Sequence, residues 1–386
     1  MTTQEATSSL ASGNHLMSVL FSPIKLRGLS LLNRIMVAPM CQYSAVNGEA
    51  NDWHFTHINS LALSGAAMFC IEATHVEAIG RITPGCLGLW NDATEAALKP
   101  ILASVRKHSR IAVAMQLAHA GRKGSSHTPW DGGQQVPISE GGWQTAGPSA
   151  VPHKEGETAP LELDAGGLAR IRDAFVDAAR RAERLGIDAI ELHSAHGYLL
   201  HQFLSPIANK RSDQYGGSLQ NRMRYPLEVF DAVRAAFPHD KPVGIKVSAT
   251  DWVDGGWDVA QTIEYANELK KRGVDWIDAS SGGVSPLQKI PLGPGYQVPF
   301  AQAIKQATGL TTIAVGLITE AKQAEDIVAS GKADMVALAR GMLYDPRWGW
   351  HAAAELGGQV EAPPQYWRSQ PSTQKALFGA TTFGTR

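Results

Sequence analysis

Residues 312–341 read TIAVGLITEAKQAEDIVASGKADMVALARG, and this stretch decides the fold class. A short apolar run, Thr312 to Val315, breaks at Gly316; Ala321 to Ala329 then carry apolar residues at helical spacing until Gly331 stops them, and Met335 to Ala339 form a second apolar run. A buried strand, a helix and another buried strand in about thirty residues make a βαβ unit, whose two strands run parallel because the helix carries the chain back.

Six further runs of the same kind precede it: Ile35 to Ala38, Ala67 to Glu72, Ile111 to Leu117, Ala189 to His193, Val243 to Ser248 and Trp276 to Ala279. Each is nearly continuous in apolar residues, as expected of strands covered on both faces. Between them, helical spacing is clearest from Leu168 through Ile171, Phe175, Ala178, Ala182 and Leu185, with Gly186 as the stop. Similar patterns occupy Leu219 to Ala236, Val259 to Lys271 and Pro299 to Ala307, with Gly273 and Gly309 as terminators. Eight runs predict a single (β/α)8 TIM barrel. A doubly wound open sheet is the alternative, but it normally has fewer strands and a Gly-rich fingerprint after the first.

Ahead of the first run, Ile24 to Leu26, an Arg27-Gly28 turn and Leu29 to Leu31 predict a hairpin capping the barrel floor. His119 to Gly167, rich in Gly, Pro and Trp, predicts a long loop over the mouth after strand three. Residues 1–17 read as a loose tail, 18–368 as the barrel and 369–386 as a C-terminal tail with no pattern of its own.

A net charge of -1, from 35 basic and 36 acidic residues, gives no electrostatic footprint for nucleic acid or anionic membrane, so a small molecule is the expected partner. No apolar run approaches the roughly 20 residues that span a bilayer. Three cysteines without a CxxC pair suggest neither a disulfide framework nor a zinc knuckle, and fit a reducing cytoplasm.

In a β/α barrel the chemistry gathers where strands end at the mouth. After strand four stands His193-Ser-Ala-His196-Gly-Tyr198, two imidazoles and a phenol in six residues. Any one of them alone reads as a hydrogen-bonded loop residue. Together they suit a carbonyl: two N–H donors steady the negative charge developing on its oxygen, and a phenol with a pKa near ~10 stays protonated as a general acid. As metal ligands they lack the HExxH spacing and a third ligand, and no metal is expected.

Strand one exits into Pro39-Met40-Cys41-Gln42-Tyr43, and strand three contains Gln116, whose amide can pair with a polar ring edge. A small buried hydrophobe is the commoner fate of a free cysteine, but the position of Cys41 at the strand-one exit favours function. Lys246 lies inside the apolar fifth run and needs an anionic or polar partner to offset its desolvation. Gly316 and Arg340 end the last two strands, the usual phosphate site of this fold, a position that favours phosphate over a surface ion pair for Arg340. No GxGxxG and no Walker A string occurs, so the expected phosphate belongs to a mononucleotide.

Taken together, APMCQY at 38–43, EAT at 72–74, RITPGC at 81–86, QLAHAGRK at 116–123, ELHSAHGYLLHQFLSP at 191–206 and NKRSDQYGGSLQNR at 209–222 resemble the Old Yellow Enzyme family, in particular its bacterial branch called thermophilic-like. The resemblance runs from about Leu20 to Arg368. It implies non-covalent FMN, reduced by NADPH or NADH and oxidised by an activated alkene in ping-pong fashion. It implies a flavin shell of Pro39, Met40, Cys41, Ala73, Gln116, Lys246, Gly316, Ala339 and Arg340, with Cys41 touching the ring. His193 and His196 resemble the pair holding the substrate carbonyl, Tyr198 the proton donor and Tyr43 a further substrate contact. Arg368 resembles an arginine reaching into a neighbouring subunit's active site, which implies a homodimer or a dimer-based tetramer. Lys246 stands where relatives carry arginine, and Ala339 where glycine is expected before the phosphate arginine.

Overall fold

The computed structural model describes residues 18–381; the tail expected at 1–17 and the end of the chain, including Phe383, lie outside the described residues. Eight strands close into a parallel barrel: Ile35–Val37, Met68–His75, Ala112–Ala118, Ala189–Ser194, Val243–Ser248, Ile277–Ser280, Thr312–Ala314 and Met335–Leu338. Neighbours in space are neighbours in sequence around the ring, and strand eight pairs with strand one, Val336 beside Ile35 and Leu338 beside Val37. Trp276 falls just before strand six rather than opening it.

Alternation along each strand sorts side chains into two cores. Ile35, Phe69, Val113, Ile190, Ile245 and Ile277 point outward and pack with helix residues such as Ile101, Phe175, Phe230 and Ile304. Met36, Met68, Ala112, Ala189, Trp276, Ile313 and Met335 point inward and cluster with Leu26 and Leu31 of the antiparallel hairpin Ile24–Leu26/Leu29–Leu31, which caps the floor as expected. Trp276 fills much of this interior. A Cβ on Gly244 would lie 2.0 Å from its indole, so the glycine on strand five is what admits the ring.

The helices Ala165–Arg184, Leu219–Ala236, Val259–Lys271, Val298–Thr308 and Ala321–Ala329 follow the sequence pattern closely. Three more, Asp52–Leu61, Asp92–His108 and Trp348–Leu356, were not anticipated, nor were the short helices Leu199–Leu204 and Arg340–Tyr344. The first two start in capping boxes: Asn51 caps with His54 at the third position and Asn91 with Thr94, where the recognisable signature carries Glu or Gln.

The loop from His119 carries short 3-10 turns at Gly121–Lys123, Pro129–Asp131 and Ile138–Glu140, and ends at Asp164, which caps the next helix. Past Arg368 the chain is packed down: Leu377 and Phe378 are buried against Trp350, Ala353 and Val360. Val360 and Phe378 line a cavity of about 510 Å³ with the hairpin residues Leu29 to Asn33 and with Ala67 and Ile111, which precede strands. This segment therefore lies on the floor side. Among the described residues no helix is long and apolar enough to cross a membrane.

Candidate active site

Strand four ends in a loop shaped by two facing glycines. His196 and Gly197 both adopt left-handed backbone, at φ 58 and 75, and a Cβ on Gly197 would lie 2.1 Å from the carbonyl oxygen of Gly283. Lys123 Nζ ties the two loops together, donating to the carbonyls of His196 at 2.8 Å and Gly283 at 2.9 Å. His196 N–H donates to Ser248 Oγ at 2.9 Å, and Gly197 N–H to His201 Nδ1 at 2.9 Å, while His201 Nε2 faces Asp251 at 2.9 Å.

This scaffold brings the three expected residues together. His193 and His196 have ring centroids 5.1 Å apart, and Tyr198 lies edge-on to His193 at 4.9 Å. The backbone N–H of Ala195 donates to His193 Nδ1 at 3.2 Å, which puts the ring proton on Nε2. That Nε2 lies 3.4 Å from Nδ1 of His196, whose Nε2 lies 2.7 Å from Ser280 Oγ. Ser280 Oγ also reaches Gln297 Oε1 at 3.3 Å: when it donates there, His196 gives its Nε2 proton to Ser280 and its Nδ1 accepts from His193, and when it donates to Nε2 instead, the His196 proton moves to Nδ1 and both rings offer N–H to an incoming carbonyl oxygen.

Burial, then the neighbouring His196 charge, holds His193 well below the ordinary histidine pKa; burial and the charges of Lys246 and Lys123 do the same to His196. Both rings are thus neutral. Burial pushes the Tyr198 phenol well above its usual pKa, so it keeps its proton. The Lys123 ammonium lies 5.0 Å over the Tyr198 ring, its own pKa lowered to about 8 by burial and by Arg122 and Lys154.

Cys41, Tyr43 and Tyr198 pack around Ile82, Cys86 and Ala120. Burial, Cys86 and Glu72 raise the Cys41 thiol well above its ordinary value, so it stands as a thiol and not a thiolate. Glu72 accepts from the Gln42 backbone at 2.9 Å, which fixes the strand-one exit. Tyr43 packs edge-on against Trp130 at 5.6 Å, and a cavity of about 330 Å³ runs from Tyr43 and Tyr198 to Arg122, Lys123, His153 and Lys154.

Inside the barrel the inward row turns polar below the histidines. Gln116 and Lys246 are both buried there, Gln116 paired in register with Glu191 and Lys246 with His193. Neither is without a protein partner: Gln116 Nε2 donates to Glu191 Oε1 at 2.8 Å, and Lys246 Nζ to Asp278 Oδ2. Burial opposes the Lys246 charge, but Asp278 and Glu191 hold its pKa above the ordinary value. Ala73 is buried on strand two, and Pro39 and Met40 are partly buried after strand one.

At the ends of strands seven and eight, Gly316 adopts φ +122, a backbone that only glycine tolerates easily, and a Cβ there would lie 2.9 Å from Gln297 Nε2. Ala339 caps the short helix Arg340–Tyr344, and Arg340 is exposed. Arg368 does not join the cluster. It is exposed on the 3-10 turn Pro364–Ser369, whose Trp367 packs into the floor-side cluster.

Sequence reasoning missed Glu191, Ser248, Asp278 and Ser280, although all four occupy the inward row, and the signal that singled out Lys246, a charge within an apolar run, also marks Glu191 and Asp278. It gave no role to Lys123, Cys86 or His75. The His75 ring, buried at the end of strand two, faces the Leu87 carbonyl with Nδ1 at 3.0 Å; its Nε2 has no partner among the described residues, and burial lowers its pKa to about 3.

Comparison with known proteins identifies the family. The NADH:flavin oxidoreductase / NADH oxidase family matches residues 19–358. NADPH dehydrogenase of Geobacillus thermodenitrificans is 42% identical over 353 residues, covering 91% of this chain and 98% of the relative. NADPH dehydrogenase of Listeria innocua is 42% identical over 355 residues, covering 92% and 99%. Among solved structures, morphinone reductase superposes with a TM-score of 0.74 at 28% identity, covering 91% of this chain and 92% of that one. A structure of morphinone reductase with tetrahydroNAD gives 0.72 at 27% identity, covering 92% and 93%. The chain belongs to the NADH:flavin oxidoreductase / NADH oxidase family, that of Old Yellow Enzyme, and is an FMN-dependent oxidoreductase served by NAD(P)H.

Proposed function

We propose that the enzyme reduces the activated C=C bond of α,β-unsaturated carbonyl compounds, taking NAD(P)H and the alkene in turn at one mouth. The observation that carries this reading is the approach of His193 Nε2 to His196 Nδ1, 3.4 Å apart, with Tyr198 beside them. A carbonyl oxygen seated between two neutral imidazole N–H groups gains more from them as it becomes enolate-like, which lowers the barrier rather than merely tightening binding.

The residues present fit FMN. Gln116 spends one N–H on Glu191 and keeps an N–H and an oxygen for a polar ring edge, and Lys246 keeps donors beyond the one spent on Asp278. Gly316 lets backbone approach a phosphate that Arg340 can clasp. Pro39, Met40, Cys41, Ala73 and Ala339 complete the shell in this reading. When bound, FMN passes a hydride from NAD(P)H to the β-carbon of the alkene.

The protein's own part is placement and proton supply. His193 and His196 hold the carbonyl, Tyr43 bears on the substrate from the strand-one side, and Tyr198 delivers its proton to the α-carbon from the face opposite the ring. Arg368, exposed on the floor-side segment, serves a neighbouring copy's mouth in a homodimer or dimer-based tetramer. The test is a visible spectrum followed by anaerobic titration: a yellow protein should bleach with NADPH and regain its colour with 2-cyclohexenone. Bleaching that no enone reverses would overturn the substrate assignment.

A further inference from the structure

The inward row carries a buried polar layer that the mechanism above leaves without a task. Glu191 accepts from Gln116 Nε2 at 2.8 Å and from Trp276 Nε1 at 3.2 Å, and Asp278 accepts from Lys246 Nζ through Oδ2 while its Oδ1 has no partner among the described residues. Gln116, Glu191, Lys246, Trp276 and Asp278 are all buried. Two carboxyl groups therefore lie near one ammonium, which bonds Asp278 and feels Glu191 through space, where unbalanced charge is costly.

The other titratable groups against this layer do not balance it. Cys70 on strand two is kept a thiol by burial and by the charge of Glu191, and His193 and His196 above are neutral. Burial raises the pKa of both carboxyl groups, with Asp278 raising Glu191 further. With a proton on either one, the layer would be neutral: one ammonium, one carboxylate, one carboxylic acid.

Geometry links this layer to the proposed flavin contacts. A glutamine amide presents its donor or its acceptor depending on which way it is flipped, and Glu191, itself held by the indole, selects the flip of Gln116. A lysine lacks the planar fork of arginine and takes its direction from its partners, which here means Asp278. We propose that Glu191 and Asp278 are positioning residues that aim Gln116 and Lys246 at the flavin's pyrimidine edge, and that their shared charge sets the potential of the bound ring. This rests on the FMN contacts proposed above.

The experiment uses the FMN-loaded enzyme and its Asp278→Asn and Glu191→Gln variants. Each substitution removes one ionisable carboxyl and leaves Lys246 with a single counter-charge. Both variants should match the parent's midpoint potential on the acid side of neutrality and exceed it on the alkaline side, where the parent layer turns net negative. Fluorescence titration of FMN into the apoproteins should show roughly tenfold weaker binding, about the loss of one charge-assisted hydrogen bond. If a variant does not fold, the parent alone supplies a readout: its oxidised-minus-reduced infrared spectrum should contain a carboxylic acid carbonyl band. Potentials that ignore both substitutions, or a parent spectrum without that band, overturn the proposal. A protein that takes up no FMN would instead sink the flavin contacts themselves, and this inference with them.

Discussion

The indole of Trp276 occupies the space in which a side chain on Gly244 would stand, 2.0 Å from the ideal Cβ position. A residue on strand five and one just ahead of strand six thus divide one volume, and the ring spends its N–H on Glu191 beneath the active site. Gly244→Ala should push the indole off its seat, at a cost of about 1–3 kcal/mol for overpacking. Thermal denaturation followed by circular dichroism should show a fall of several degrees; an unchanged melting temperature would mean the interior is looser than described.

Tyr198→Phe removes one oxygen and leaves the edge-on packing against His193. Loss of a general acid costs typically ~10²–10⁴-fold, and the loss should fall on one half-reaction. Stopped-flow mixing of reduced enzyme with an enone should show that slowing, while reduction of the flavin by NADPH proceeds at close to the parent rate. Equal loss in both half-reactions would deny Tyr198 its role as donor.

His75 gives a pH signature that can be isolated from the other buried groups. Its folded pKa is lowered to about 3, so between that value and the unfolded value the unfolded chain binds a proton that the folded chain refuses, and stability falls as pH falls. In His75→Asn this uptake is absent. The stability difference, parent minus variant, should therefore shrink by about 2 kcal/mol between about pH 7 and about pH 5, since each pH unit below an unfolded pKa of ~6.5 is worth ~1.4 kcal/mol. Urea titrations of both proteins at the two pH values measure it, and a constant difference would contradict the assigned burial.

Arg340→Ala should weaken FMN binding by roughly 10- to 100-fold, the cost of hydrogen bonds from a charged donor to phosphate. Lumiflavin, which has no phosphate, should bind parent and variant alike. Parallel fluorescence titrations make the comparison, and equal losses for both flavins would move the phosphate elsewhere.

Legibility in the sequence followed the range of the physics. The barrel was readable because buried parallel strands and amphipathic helices leave local periodicities, and His193, His196 and Tyr198 stand in one short segment at a strand end. The helices at Asp52–Leu61 and Asp92–His108 escaped because His54 and Thr94 close their capping boxes in place of the usual acids. Lys123 escaped for a different reason: its two acceptors, the carbonyls of His196 and Gly283, are 73 and 160 residues away along the chain. Gln116 and Lys246 were singled out for being polar in apolar runs, a signal Glu191 and Asp278 share, but that the four form two pairs emerges only once strand register sets them side by side.

The inward row that runs from Trp276 at the floor to His193 at the mouth behaves as a reading frame. Inserting or deleting a single codon within strand four would rotate every later side chain of that strand by half a turn, sending the imidazole toward the helices and delivering Leu192 or Ser194 to the cavity. Length change in this protein is therefore tolerable in the segment after strand three and ruinous inside the strands, so that natural or engineered diversification of its substrate range has to proceed by lengthening loops and exchanging residues in place.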